Sequence, residues 1–169
     1  IDPLFEEPDI GVRFVSSAAD FGNPDVIILP GTKNTIDDLH WLKEQGLDTA
    51  IERSFKKGAH VFGICGGYQM LGKTLLDPDA IEGSGSVEGG LSLLDIETTF
   101  VPFKKTVQVT GRLASGDEVS GYEIHLGRSI RLHNTRSFIQ LHDGREDGAI
   151  SYDGRVIGTY LHGIFQNRL

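Results

Sequence analysis

Residues 61–72 read VFGICGGYQMLG, from Val61 to Gly72, and place the only cysteine of the chain between glycines. With His60 in front, His60-Val61-Phe62-Gly63-Ile64 is a short apolar run of the kind that forms a strand buried on both faces. Tyr68-Gln69-Met70-Leu71 opens a helix. Between them, glycines stand two residues before and two residues after Cys65. A strand that turns sharply into a helix leaves no room for side chains at those two positions. The stretch therefore reads as strand, elbow and helix, the repeating step of an α/β fold.

The same punctuation continues outward. Val26-Ile27-Ile28-Leu29 is another apolar run, closed by Pro30-Gly31, and Val12-Arg13-Phe14-Val15 alternates briefly. Both read as strands of a parallel sheet. Thr35 before Ile36-Asp37-Asp38 has the form of a helix start with acidic residues in its first turn. Leu47, Ala50, Ile51 and Phe55 recur at helical spacing, and Lys56-Lys57-Gly58 supplies a basic last turn and a stop. One helix, or two with a break near Gly46, is expected over 36–57.

The second half is β-rich. Segments 93–101, 106–113 and 122–126 read as strands, and Asp-Gly pairs at 143/144, 147/148 and 153/154 mark turns. The clearest hairpin joins 149–152 to 155–160 through Asp153-Gly154. Residues 82–90, rich in Gly and Ser, read as a surface loop.

Composition narrows the function. A chain of 169 residues suits one domain, here 1–169, and 38% hydrophobic with 24% charged residues is a globular balance. No apolar run approaches the ~20 residues that span a bilayer. The first residues carry no basic and apolar pattern of a secretory signal, so a cytoplasmic protein without a membrane partner is expected. A net charge of −8 and the lack of a basic stripe argue against nucleic acid. One cysteine forms no intrachain disulfide, and no Cys/His spacing suits a metal.

Cys65 is left with packing or reactivity. A lone cysteine is usually a small buried apolar side chain; the elbow reverses that preference. The helix behind it favours the thiolate, and the N–H of Gly66 would face a developing oxyanion. A thiolate that attacks an amide needs a proton carrier, most often His. Of six histidines, His40 and His60 read as structural, and His133 and His142 lie in polar segments. His125 in GYEIHLG and His162 in GTYLHG remain. His162 follows an apolar strand and precedes a glycine, so it can emerge at a strand end, and position favours it over His125.

These residues resemble the class I (triad-type) glutamine amidotransferases. Gly63-x-Cys65-x-Gly67-x-Gln69, the Pro30-Gly31 loop and a late strand ending in His162 occur in that family's order over nearly the whole chain. The motifs LPGTKNTIDDLHWL, GICGGYQMLG, SGYEIHLGR and GTYLHGIF are most similar to the branch that amidates corrinoid carboxylates in cobalamin biosynthesis. The resemblance implies a three-layer α/β fold, flavodoxin-like, with a mostly parallel sheet flanked by helices and a β-rich second half. It implies glutamine as substrate, Cys65 as nucleophile and His162 as proton carrier. Gly31, Thr32 and Gly66 would form the oxyanion hole, and Gln69 would help hold the substrate. Most class I members carry a Glu two residues after the histidine, where this chain has Ile164, an absence that the resemblance makes usual in this branch; Glu123 is a candidate substitute, and His125 remains a secondary site residue. The family domain also begins with a further strand, so the chain reads as a fragment. No cofactor is expected in this domain; ATP and Mg would serve only an N-terminal synthetase domain, which would also handle the corrinoid. Other amide ligases of the branch, forming a corrinoid diamide or amidating peptidoglycan, share Cys65 and His162. A non-catalytic binding module is the reading from a different class.

Overall fold

In the computed structural model, which describes residues 1–83, 85–102 and 106–167, the apolar runs around Cys65 form the centre of the molecule. The first half gives β1 (Val26–Leu29), α1 (Thr35–Glu44), α2 (Leu47–Lys56), β2 (His60–Ile64) and α3 (Gly66–Met70). There follow β3 (Thr74–Leu76), β4 (Val87–Gly89), β5 (Ile96–Thr99), β6 (Val107–Leu113), β7 (Glu118–Glu123), β8 (Arg128–Arg131) and β9 (Thr135–Arg136). The last strands are β10 (Ile139–Leu141), β11 (Glu146–Asp147), β12 (Ala149–Ser151), β13 (Val156–Thr159) and β14 (Leu161–His162). No helix among the described residues is long and apolar enough to cross a membrane.

The central sheet runs β1-β2-β13-β12-β9. Its first three strands are parallel, and β12 and β9 add antiparallel. Period-two alternation divides its side chains between two cores. Ile27, Leu29 and Val61 pack with Ile36, Leu39 and Ile51 of α1 and α2. Ile28, Phe62 and Ile64 pack instead with Val109, Val119, Ile139 and Leu161. Those last residues belong mainly to a second, antiparallel sheet ordered β11-β10-β6-β7-β14. The α/β fold of three layers is thus present, but one outer layer is a sheet where helices were expected. The reason lies in the second half, whose strands alternate apolar and polar: β6, for instance, buries Val109 while Gln108 stays exposed. Such strands need one face covered and leave the other to water. A smaller sheet, β4-β3-β5-β8, flanks these layers.

Local expectations fare unevenly. The helix breaks at Gly46, which takes φ 68°, and α1 and α2 stand on either side of it. The start of α1 is one residue off. Asn34 is the cap, accepting from Asp37 N–H at 3.0 Å, and Thr35 is the first helical residue. Residues 12–15 are not a strand: β1 is an edge of the central sheet with β2 as its neighbour, and Phe14 is 78% exposed against Phe5. A four-residue alternation without a partner ladder cannot hold an extended conformation. The 82–90 loop contains β4, paired with β3, while Ser84 lies outside the described residues. Segment 122–126 leaves the strand after Glu123. The Asp153-Gly154 hairpin forms as read, with Gly154 at φ 76° between β12 and β13.

One corner positions the site. After β13 the chain leaves the central sheet and joins the second sheet as β14. The buried carboxylate of Asp147 accepts the Thr159 hydroxyl and, at 3.1 Å, the Tyr160 N–H. Leu161 N–H donates to Thr159 Oγ1 at 3.0 Å. His162 is the next residue.

Candidate active site

Cys65 forms the one-residue link between β2 and α3, with φ 53° and ψ −111°. A non-glycine residue held there costs of order 1–3 kcal/mol, which persists only where the surroundings enforce it. They do so here: Cys65 N–H donates to Thr159 O at 2.9 Å, and its carbonyl accepts from Gln69 N–H at 3.0 Å. The flanking glycines are required by close approach. A Cβ on Gly63 would stand 2.7 Å from Gly67 O, and one on Gly67 2.6 Å from the Leu29 carbonyl carbon. These neighbours are backbone and cannot swing aside. Gly67→Ala is therefore expected to destabilise the fold by about 3 kcal/mol, the upper range of overpacking. Urea unfolding of the variant checks this, and a loss below about 1 kcal/mol would contradict it.

The Cys65 thiol is buried, with Sγ 3.5 Å from Ile124 O. His162 reaches the same place from β14. A Cβ built on Gly31 would lie 3.2 Å from His162 Cε1 and 3.5 Å from Cys65 Cβ, so the Pro30-Gly31 loop, the elbow and the late strand meet at one backbone position. Thr32 adjoins it: its backbone N is 3.3 Å from where a Gly66 Cβ would stand, and its hydroxyl ties the loop to Asn34 and Asp38. The first amides of a helix have no partner inside it, and the Gly66 backbone lies close to the Gly31-Thr32 loop beside Cys65. A cavity of about 280 Å³ opens beside His162 between Gly31, Ile64, Tyr122, Gly163 and Gln166.

Other expected site residues lie elsewhere or are already engaged. Gln69 is 2% exposed. Its Oε1 accepts from Thr35 Oγ1 at 2.8 Å, and its Nε2 donates to Leu126 O at 2.7 Å and Tyr160 Oη at 3.2 Å. These bonds make it a strut behind the elbow. His125 is stacked on Tyr160 with ring centroids 3.7 Å apart and bonds Gly127 O through Nδ1 at 2.9 Å. Burial first of all holds its proton affinity below the ordinary histidine value. Glu123 accepts from Arg145 at 2.9 Å. In the β7–β14 ladder Glu123 lies opposite Leu161, and Tyr122 opposite His162. Cross-strand partners share a face and successive residues alternate, so Glu123 lies on the opposite face of the ladder from His162. Ile164, where the carboxylate was missed, is buried in the core between the sheets.

The whole chain, residues 1–169, matches the CobB/CobQ-like glutamine amidotransferase domain. The chain belongs to that family. Among curated relatives of this amidotransferase domain, the cobyric acid synthase of Listeria monocytogenes serotype 4b (strain CLIP80459) is 48% identical over 167 residues, which is 95% of this chain and 33% of the relative. That of Moorella thermoacetica is 46% identical over 98% of this chain and 35% of its own length. The chain thus spans about a third of the curated relatives it matches. Among solved structures, a glutamine amidotransferase superposes with a TM-score of 0.71 at 16% identity, covering 95% of this chain and 82% of that one. PurLQS from Thermotoga maritima gives 0.60 at 18%, covering 83% and 69%. These last two show the fold.

Some residues around the elbow of this amidotransferase domain escaped the sequence reading. Tyr160 joins Gln69 to Ser129, whose Oγ lies 2.6 Å from Tyr160 Oη and 2.7 Å from Thr98 Oγ1. These bonds link α3 and the residue between β13 and β14 to the small sheet, and burial drives the Tyr160 hydroxyl far above its usual pKa. Glu82 reaches across to accept from the Thr35 N–H at 2.6 Å, on a loop folded by the buried carboxylate of Asp77. Asp147, whose carboxyl burial pushes up, holds the corner before His162. Each acts through pairings between distant segments, for which single-chain periodicity carries no signal.

Proposed function

We propose that this chain is the glutamine-hydrolysing part of a longer amide ligase of the cobyric acid synthase type, with Cys65 as nucleophile and His162 as proton carrier. The observation that carries the reading is the meeting of a strained Cys65 with His162 at Gly31. The family of the chain supports the reaction, and the relatives named cobyric acid synthase support the acceptor.

The chemistry follows from the parts. Cys65 sulfur attacks the side-chain carbonyl carbon of glutamine, and the oxygen that becomes negative is received by the N–H of Gly66 and the backbone of Gly31 and Thr32. One such donor is worth about 3–4 kcal/mol in acyl transfer. His162, which has taken the thiol proton of Cys65, gives it to the departing nitrogen, the C–N bond breaks, and ammonia leaves a glutamyl thioester. Water then adds to the thioester as His162 removes its proton, and glutamate leaves as the thiol is restored. Gln69 and Tyr160 hold the elbow rigid. None of these steps requires a metal or nucleotide; ATP and Mg belong to activation of the acceptor carboxylate in the remaining part of the longer protein. Ammonia is mostly protonated at neutral pH and then cannot attack, so it must pass directly to that second site.

The test uses the full-length protein with glutamine, ATP and a corrinoid carboxylic acid. Glutamate release in step with corrinoid amide formation is expected. A folded protein that forms no glutamate with or without the acceptor would overturn the glutaminase reading. Glutamate release without amidation of any corrinoid would overturn only the acceptor.

A further inference from the structure

We propose that Tyr122 is the positioning residue for the His162 imidazole, in the place where related enzymes use a carboxylate; this rests on the reading of His162 as proton carrier. Three observations converge. The Tyr122 and His162 rings stack with centroids 5.0 Å apart and planes inclined by 11°. The two residues are direct cross-strand partners in the β7–β14 ladder, so the stack is fixed by backbone register as well as by side-chain preference. The position two residues after His162 holds Ile164, an apolar side chain buried in the core, and the one carboxylate candidate, Glu123, lies on the opposite face of the ladder, paired with Arg145.

The stack can do two things for a proton carrier. It holds the plane of the imidazole as the ring passes between neutral and charged forms, keeping the Cε1 edge of the ring at the Gly31 meeting point. The face of an aromatic ring within about 6 Å also attracts a cation, so the tyrosine favours the imidazolium that exists while the ring carries the proton. Unlike a carboxylate, it adds no negative charge beside the thiol. Tyr122 is 43% exposed, so its replacement removes the stack without opening a core.

The test is carried out on the full-length protein. Tyr122→Leu is expected to lower kcat for glutamine hydrolysis by roughly 10-fold, the scale of one stacked aromatic pair, with KM for glutamine and the unfolding temperature near those of the parent. Tyr122→Phe, which keeps the ring, should stay within about twofold of the parent. The ring protons of His162 should show an upfield shift in the NMR spectrum of the unmodified protein, kept in the Phe variant and lost in the Leu variant. Parent-like kcat in Tyr122→Leu, equal damage from Phe and Leu, or a parent spectrum without the ring-current shift would each overturn the proposal. His162→Ala measured alongside separates the two readings. If that variant is fully active the proton-carrier reading fails, whereas loss in His162→Ala with no loss in Tyr122→Leu removes only the role of Tyr122.

Discussion

Cys65→Ala in the full-length protein is expected to lose all glutamine-dependent amidation while keeping amidation from added ammonia. Within this domain Cys65 is the only cysteine, and it stands at the elbow beside His162. The Ala side chain is smaller than the thiol at a position enclosed by Thr159 O, Gln69 N and Ile124 O, so the elbow should keep its shape. Circular dichroism and the unfolding temperature should match the parent. A glutamine-like electrophile should add one mass equivalent to the parent and none to Cys65→Ser, because a serine hydroxyl at the elbow lacks the ionised character of a thiolate. Retention of glutamine-dependent activity in Cys65→Ala would falsify the nucleophile assignment. Loss of ammonia-dependent synthesis in a folded variant would instead refute the separation between ammonia release and its use.

His162→Ala is expected to cost at least ~100-fold in kcat/KM for glutamine, and up to ~10⁴-fold, the range of general acid–base catalysis by one positioned side chain. The loss falls on the step that expels ammonia, which leaves poorly without a proton. The electrophile should still label Cys65 slowly, since alkylation requires no proton delivery to nitrogen. His125→Ala is the comparison that decides. His125 is stacked on Tyr160 and bonded to Gly127, in a cluster that supports the elbow from behind. Its replacement should lower stability more than it lowers the rate in the protein that remains folded. If His125→Ala were the slower enzyme at equal folded fraction, the assignment of His162 would be wrong.

Much of this site was legible because its parts are local. The βα elbow needs an apolar run, a glycine at each close approach and a helix start, all inside residues 60–72, and the strand, bend and helix appear there. The break at Gly46 and the Asp153-Gly154 hairpin are local in the same sense: one residue with positive φ decides each. The brief strand at 12–15 fails because a strand, unlike a turn, is completed by its neighbour. The cap at Thr35 misses by one residue because Asn34 and Thr35 both offer a suitable oxygen, and the choice is settled when Thr35 Oγ1 is drawn to Gln69, far along the chain.

By itself, then, the sequence determined the α/β step at Cys65, the glycines that permit it and the short set of histidines that could serve it, because steric fit and periodicity act over a few residues. Only the tertiary structure decided what surrounds His162. The register of β14 on β7 puts Tyr122 beside the imidazole and turns Glu123 away, and a slip of one residue would exchange them. The same holds for the second outer layer, a sheet rather than helices, and for the Asp147 corner that carries His162 from one sheet to the other. Those outcomes depend on which strands meet, and in what register, and that is fixed by burying two apolar faces of the central sheet at once.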